Sequence, residues 1–161
     1  MFKIRYKTTL NLILIFSIFS LVAAYFIQYV LDHQPCNLCL LERIPYVSVI
    51  IIILLFLFLK KFEKLFLISI SLIFFIATLL SFYHFGIEQG FIKESLVCNL
   101  NNQEKILTAE ELLKELREMS ISCKDVTFRI LGFSLATINT IISLALSVIT
   151  LRAYLNYEKN K

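Results

Sequence analysis

Cys36 and Cys39 stand three residues apart in Pro35-Cys36-Asn37-Leu38-Cys39, between two apolar runs long enough to cross a bilayer. Thiols at this spacing can close into a disulfide and reopen without moving the backbone far. So small a ring closes almost no chain and gains little stability as a staple, so the pattern is more often a redox or metal element. Beside lipid, the pair can also meet a hydrophobic electron carrier that never enters water. Two further cysteines, Cys98 and Cys123, lie far along the chain. Four cysteines allow three connectivities. Proximity favours Cys36 with Cys39, leaving Cys98 with Cys123. That second pair also suits an inert loop staple, and spacing leaves the resting pattern open.

Disulfide exchange runs through a thiolate, so the groups that favour an anion matter. Cys39 stands near the start of an apolar run, where a helix N-terminus presents unpaired N–H groups and partial positive charge. If the helix already runs from Cys39, Arg43 lies one turn on and on the same face. Pro45 disfavours helical geometry at Ile44, and the alternative is a helix that begins at Pro45, with 39–43 in an irregular turn. Either way an always-protonated guanidinium sits close to the thiols. It can stabilise negative charge on a reacting partner, or serve as an interfacial anchor paired with Glu42. His84 and Glu88, four apart at the end of another apolar run, share a helix face and can supply or relay protons. His33, beside Asp32, is a weaker candidate. Asn139, with Thr137 and Thr140, reads as hydrogen-bonding glue between helices.

These residues need elements that hold them at a membrane surface. Of the 161 residues, 58% are hydrophobic and 17% charged, with only 3 Gly and 2 Pro. That composition signals membrane spans and leaves little material for a loop-rich or all-β fold. The basic residues form short flanks rather than one stripe, and no nucleic-acid-binding motif appears. Four uncharged stretches, 12–31, 44–59, 65–87 and 130–151, approach or reach the roughly 20 residues that span about 30 Å of hydrocarbon. The second is short, but Leu40 and Leu41 can extend it. The first is longer than a secretory-signal core and reads as a retained span.

The expected fold is an all-α membrane protein: an antiparallel four-transmembrane-helix bundle forming one membrane domain over 1–161. Lys3, Arg5, Lys7, Lys60, Lys61, Lys64, Arg152, Lys159 and Lys161 flank the spans on one side, opposed there only by Glu63 and Glu158. The positive-inside bias then places both termini in the cytoplasm and loops 32–43 and 88–129, with all four cysteines, outside. In such a compartment disulfides persist. In the longer loop Thr108 and Glu111 form a capping box, with Leu112, Leu113, Leu116 and Met119 on one face. A short helix is expected there, packed on the bundle or lying on the membrane surface.

Several motifs resemble those of the DsbB family, bacterial inner-membrane proteins that regenerate the periplasmic thiol oxidase DsbA. Cys36-Asn37-Leu38-Cys39-Leu40-Leu41-Glu42-Arg43 resembles the family's C-x-L-C-x-x-E/Q-R signature. Tyr83-His84-Phe85-Gly86-Ile87-Glu88-Gln89-Gly90 resembles its third-span ending, and Cys123-Lys124-Asp125-Val126 through Asn139 its entry into the fourth span. The DsbA–DsbB–quinone relay is what keeps the periplasm oxidising, and the resemblance brings it to this chain as an expectation. It implies that Cys98, paired with Cys123, forms the mixed disulfide with a DsbA-like, thioredoxin-fold periplasmic partner. Electrons then pass to Cys36–Cys39 and on to membrane quinone, ubiquinone or menaquinone. It implies that Cys39 faces the quinone ring, with Arg43 holding it and His84 and Glu88 in the same region. No resident metal is implied.

Two other classes compete. A non-catalytic metal-binding or redox-sensing membrane protein would use the four thiols together, although zinc sites of four cysteines usually show two close pairs and only one is present. A structural four-span protein with stapled loops would carry two disulfides that resist mild reductant.

Overall fold

A computed structural model of the chain describes residues 2–58, 63–93, 98, 122–124, 129–130 and 132–159. The described residues form helices α1 (Phe2–Tyr29), α2 (Asn37–Leu41), α3 (Arg43–Phe58) and α4 (Glu63–Glu88), strands β1 (Arg129–Ile130) and β2 (Phe133–Ser134), and helix α5 (Leu135–Lys159). Four helical stretches are long and apolar enough to cross a membrane: Lys7–Tyr29, Asn37–Leu57 (α2 and α3 together), Glu63–Glu88 and Leu135–Tyr157. The chain is the expected four-span helical bundle. The loop helix expected after Thr108 lies outside the described residues.

The outer surface is apolar. Leu12, Ile15, Phe19, Val22 and Phe26 on α1 and Leu72, Ile76 and Leu79 on α4 are all exposed. Such continuous apolar patches suit lipid tails rather than water. Because lipid is as apolar as leucine, helices in a membrane associate through close packing and hydrogen bonds. The most extensive contact, α4 against α5, shows how. Ser71 Oγ donates to the carbonyl of Ser147 and Ser147 Oγ to that of Ser71, both at 3.4 Å. Small side chains permit that approach. Farther from the cysteines, Leu10 and Ile13 of α1, Val49, Ile53 and Phe56 of α3, and Leu67, Ile70 and Phe74 of α4 make the main apolar cluster.

Three local signals set the helix ends near the cysteines. Pro45 has no N–H to offer the carbonyl of Leu41 four residues back. The helical path is accordingly broken at Glu42, the C-cap of α2, and resumes at Arg43. The second span therefore begins at Asn37, with Cys36 as N-cap and Pro45 in the first turn of α3. At the end of α4, Gly90 at φ +76° lets its own N–H reach Ile87 O and that of Phe91 reach Gly86 O, a Schellman cap. Glu88 is thereby held in the final turn, one turn beyond His84. Finally, Ser134 Oγ accepts from the N–H of Thr137 at 3.2 Å, an N-cap that starts α5 at Leu135. Hydropathy alone starts that run at 130, but Arg129–Ile130 pairs antiparallel with Phe133–Ser134 around Gly132.

Candidate functional site

The breaks and caps bring together residues from four parts of the chain. Cys36 and Cys39 lie at the start of the second span with sulfurs 2.6 Å apart, within reach of disulfide closure. Cys36 is buried and Cys39 partly so. Cys98 and Cys123 form a disulfide, with Cα atoms 5.7 Å apart. Both pairs belong to one buried cluster with Leu38 and Ile87. Of the three connectivities open to the sequence, this one places two disulfide-forming pairs side by side.

Polar groups surround the close pair. His84 Nε2 lies 3.5 Å from Cys36 Sγ, and its Nδ1 is 2.8 Å from Glu42 Oε1. Glu88 Oε1 is 3.8 Å from His84 Nε2, and Ser134 Oγ donates to the other oxygen of Glu88. Asn139 Nδ2 donates to Glu42 Oε2 and to Ser81 Oγ, each at 2.7 Å, while its Oδ1 accepts from Tyr46 OH at 2.5 Å. Every one of these contacts lies at the buried, cysteine-bearing end of the bundle.

Cys36 itself stands just before the second span. Its thiol is pulled down to about 5, chiefly by the hydrogen bond from the Cys39 side chain; burial opposes the shift, and His84 adds to it. That shift favours the thiolate of the reduced pair, the form that attacks disulfides.

Arg43 takes another direction. Its Nη1 donates to Gln28 Oε1 at 2.6 Å, and its guanidinium carbon lies 4.9 Å from the centre of the Tyr25 ring. Of the two readings open to Arg43, the anchor beside Glu42 is not formed: Arg43 contacts α1 instead, while Glu42 bonds His84 and Asn139. Arg43 nonetheless lines a cavity of about 360 Å³ together with Cys36, Cys39, His84, Glu88 and Cys123. The remaining walls are largely apolar, from Phe16, Phe19, Ala23 and Ala24 of α1 to Ile138 and Ile142 of α5. His33 also borders this space.

Glu42, at the centre of this network, is the residue that the residue-by-residue reading under-used. Asn139 is the inter-helix hydrogen-bonding residue expected of it, joining α5 to Glu42, to Ser81 of α4 and to Tyr46 of α3. Thr137 and Thr140 do not bridge helices: Thr137 Oγ1 meets the N-cap Ser134, and Thr140 Oγ1 donates to the carbonyl of Ala136. Helical spacing had offered Glu42 only a neighbouring arginine. The break at Glu42 is what frees its side chain, and Pro45 was the visible signal for that break.

Cys36, Cys39 and His84 could also hold a soft metal ion, because their ligand atoms all lie within 4.8 Å of one another. A site using all four cysteines is ruled out in this state by the Cys98–Cys123 disulfide.

A four-span helical bundle whose cavity ends on a C-x-x-C pair, with the Cys98–Cys123 disulfide packed beside it, fits a membrane disulfide oxidoreductase. The chain belongs to the DsbB family: residues 6–153 match the family described as "Disulfide bond formation protein DsbB". It is also 34% identical over 161 residues to "Uncharacterized protein RP370" of Rickettsia prowazekii (strain Madrid E). That similarity covers 98% of this chain and 92% of the relative.

Proposed function

We propose that the protein is a protein-dithiol:quinone oxidoreductase of the bacterial inner membrane, a single membrane domain with both termini in the cytoplasm and the cysteine loops in the periplasm. The observation that carries this reading is the largely apolar cavity that ends on Cys39, Arg43 and His84. Its apolar walls and few polar corners fit a flat, oil-soluble ring with carbonyl groups. A quinone bound there would supply the two-electron acceptor, ubiquinone or menaquinone.

The chain's own residues supply the rest. Cys98 receives a thiol from a DsbA-like, thioredoxin-fold partner and opens the Cys98–Cys123 bond. The freed Cys123 thiolate attacks Cys36, forming one S–S bond as the Cys36–Cys39 bond breaks and Cys39 departs as a thiolate facing the cavity. Arg43 presents fixed positive charge to that space, and His84 and Glu88 stand where protons are needed. A DsbA-like partner is a strong oxidant at about −120 mV, so its reoxidation needs a stronger acceptor still. A step of about 30 mV already favours two-electron transfer by roughly 1.4 kcal/mol.

The test is direct. Purified protein, given a reduced thioredoxin-fold partner and added quinone, should bleach the quinone absorbance, and Cys36→Ser should abolish turnover. Full activity in that variant would remove the C-x-x-C pair from the pathway. Reporter fusions should place residues 32–43 and 88–129 in the periplasm.

A second reading rests on the Cys36–Cys39–His84 cluster: a reduced, metal-holding sensor without turnover. It predicts stoichiometric zinc and two free thiols in protein isolated from oxidising cells.

A further inference from the structure

The carboxylate of Glu42 takes no part in the sulfur relay, yet few polar groups here are better held. It is 8% exposed at the break between α2 and α3. One oxygen is 2.8 Å from His84 Nδ1, and the other receives Asn139 Nδ2 at 2.7 Å. Asn139 is fixed in turn by Ser81 from α4 and Tyr46 from α3. A carboxylate only accepts hydrogen bonds. The proton of a neutral His84 therefore sits on Nδ1, and the Nε2 lone pair is turned toward Cys36 Sγ, 3.5 Å away.

We propose that Glu42 and Asn139 are positioning residues that lock His84 in its Nδ1–H tautomer, so that Nε2 takes the proton of the reduced Cys36 thiol. The inference rests on the reading of Cys36–Cys39 as the redox pair. The step is a proton transfer alone. The S–H bond of Cys36 breaks and an N–H bond forms at Nε2, while Nδ1–H stays bonded to the acceptor oxygen at position 42; no electron moves. The product is the Cys36 thiolate that must re-form the disulfide with Cys39 when electrons leave.

Other groups around Cys36 do not offer the same service. Cys39 shares its sulfur contact and donates its backbone N–H to Cys36 Sγ at 3.2 Å. Glu88 faces His84 Nε2 at 3.8 Å, beyond hydrogen-bond range, and is engaged by Ser134. Arg43 and His33 border the same cavity from the second span and the loop before it, and Cys123 borders it within its disulfide.

Glutamine offers the discriminating substitution. Its amide oxygen can still accept from Nδ1–H. Asn139 can then flip, because its other partners are hydroxyls that donate or accept equally. Acceptance, not charge, fixes the tautomer, so Glu42→Gln should retain function where Glu42→Leu does not.

The experiment uses the full chain in detergent or nanodiscs, reduced and treated with limiting iodoacetamide across pH, with Cys36 labelling read by peptide mass spectrometry. Wild type should show a midpoint well below that of an ordinary thiol. Glu42→Leu should raise that midpoint by about 1–2 units and cut quinone-reductase turnover about 10²-fold. Glu42→Gln should stay within about threefold of wild type on both readouts. If Glu42→Leu does not fold, Asn139→Ser keeps the carboxylate but frees it, and should raise the midpoint by a few tenths of a unit with about threefold slower turnover. A folded Glu42→Leu or Asn139→Ser with wild-type midpoint and rate overturns the proposal. So does a Glu42→Gln variant as impaired as the leucine. Cys36→Ser in the same assay separates the layers: if it is inactive while Glu42→Leu is normal, only the positioning role fails, and if it turns over, the redox pair itself is wrong.

Discussion

The two ends of the bundle are held by different physics. At the end away from the cysteines, Val49, Ile53, Leu67, Ile70 and Phe74 interlock with no exposed surface to speak of, and the contacts are apolar and non-directional. At the cysteine end the cluster is smaller, and Glu42, His84, Asn139, Ser81 and Tyr46 meet through directed hydrogen bonds in a largely buried setting. Unpaired polar groups are costly in such surroundings, so this end tolerates few arrangements. The contrast implies a division of labour: packing holds the scaffold, and the polar network sets where protons and sulfurs lie.

Substitutions at each end sharpen or break that division. The largest effect belongs to the thiols. Replacing Cys39 with Ser should reduce quinone-linked turnover by more than about 10³-fold while leaving the thermal midpoint in detergent near wild type, because covalent chemistry has no substitute route. Measurable turnover would show that the other disulfide can discharge its electrons unaided. At the opposite end, Ile53→Ala should cost about 2–4 kcal/mol in reversible unfolding by leaving a cavity, with kcat for quinone reduction little changed. A comparable loss of kcat would mean that the two ends are mechanically coupled.

Smaller effects probe the boundary. Arg43→Lys removes the planar stack over Tyr25 and the fixed reach to Gln28 but keeps the charge, so the quinone KM should rise about tenfold with kcat nearly intact. An unchanged KM would place the ring away from Arg43. Gly90→Ala forces a side chain into positive φ, a cost of about 1 kcal/mol, although space is open around it. Unfolding should register that loss. Kinetics should barely move unless the last turn of α4 shifts and carries Glu88 with it.

Much of this molecule could be read from composition and spacing. Four apolar runs of near-spanning length dictate a helical bundle, because unsatisfied backbone groups cannot lie in hydrocarbon. The C-x-x-C spacing brings Cys36 and Cys39 together, and the i, i+4 relation of His84 and Glu88 places them on one face, since both are properties of neighbours along the chain. Where helices begin and end was legible only in part. Pro45, Gly90 and Ser134 are ordinary signals, but hydropathy alone outweighed them and started the fourth span five residues early.

Tertiary structure alone decided the rest. Glu42 and His84 are 42 positions apart, and Glu42 and Asn139 are 97 apart. No periodicity links them, because each lies on a different helix and the pairings depend on how those helices rotate and cross. The same holds for the direction of Arg43, for which the sequence left open a reacting partner or an anchor beside Glu42, and which the fold turns to Gln28 and Tyr25 of α1. Local sequence fixes which face of a helix a residue occupies. Only packing decides what that face meets.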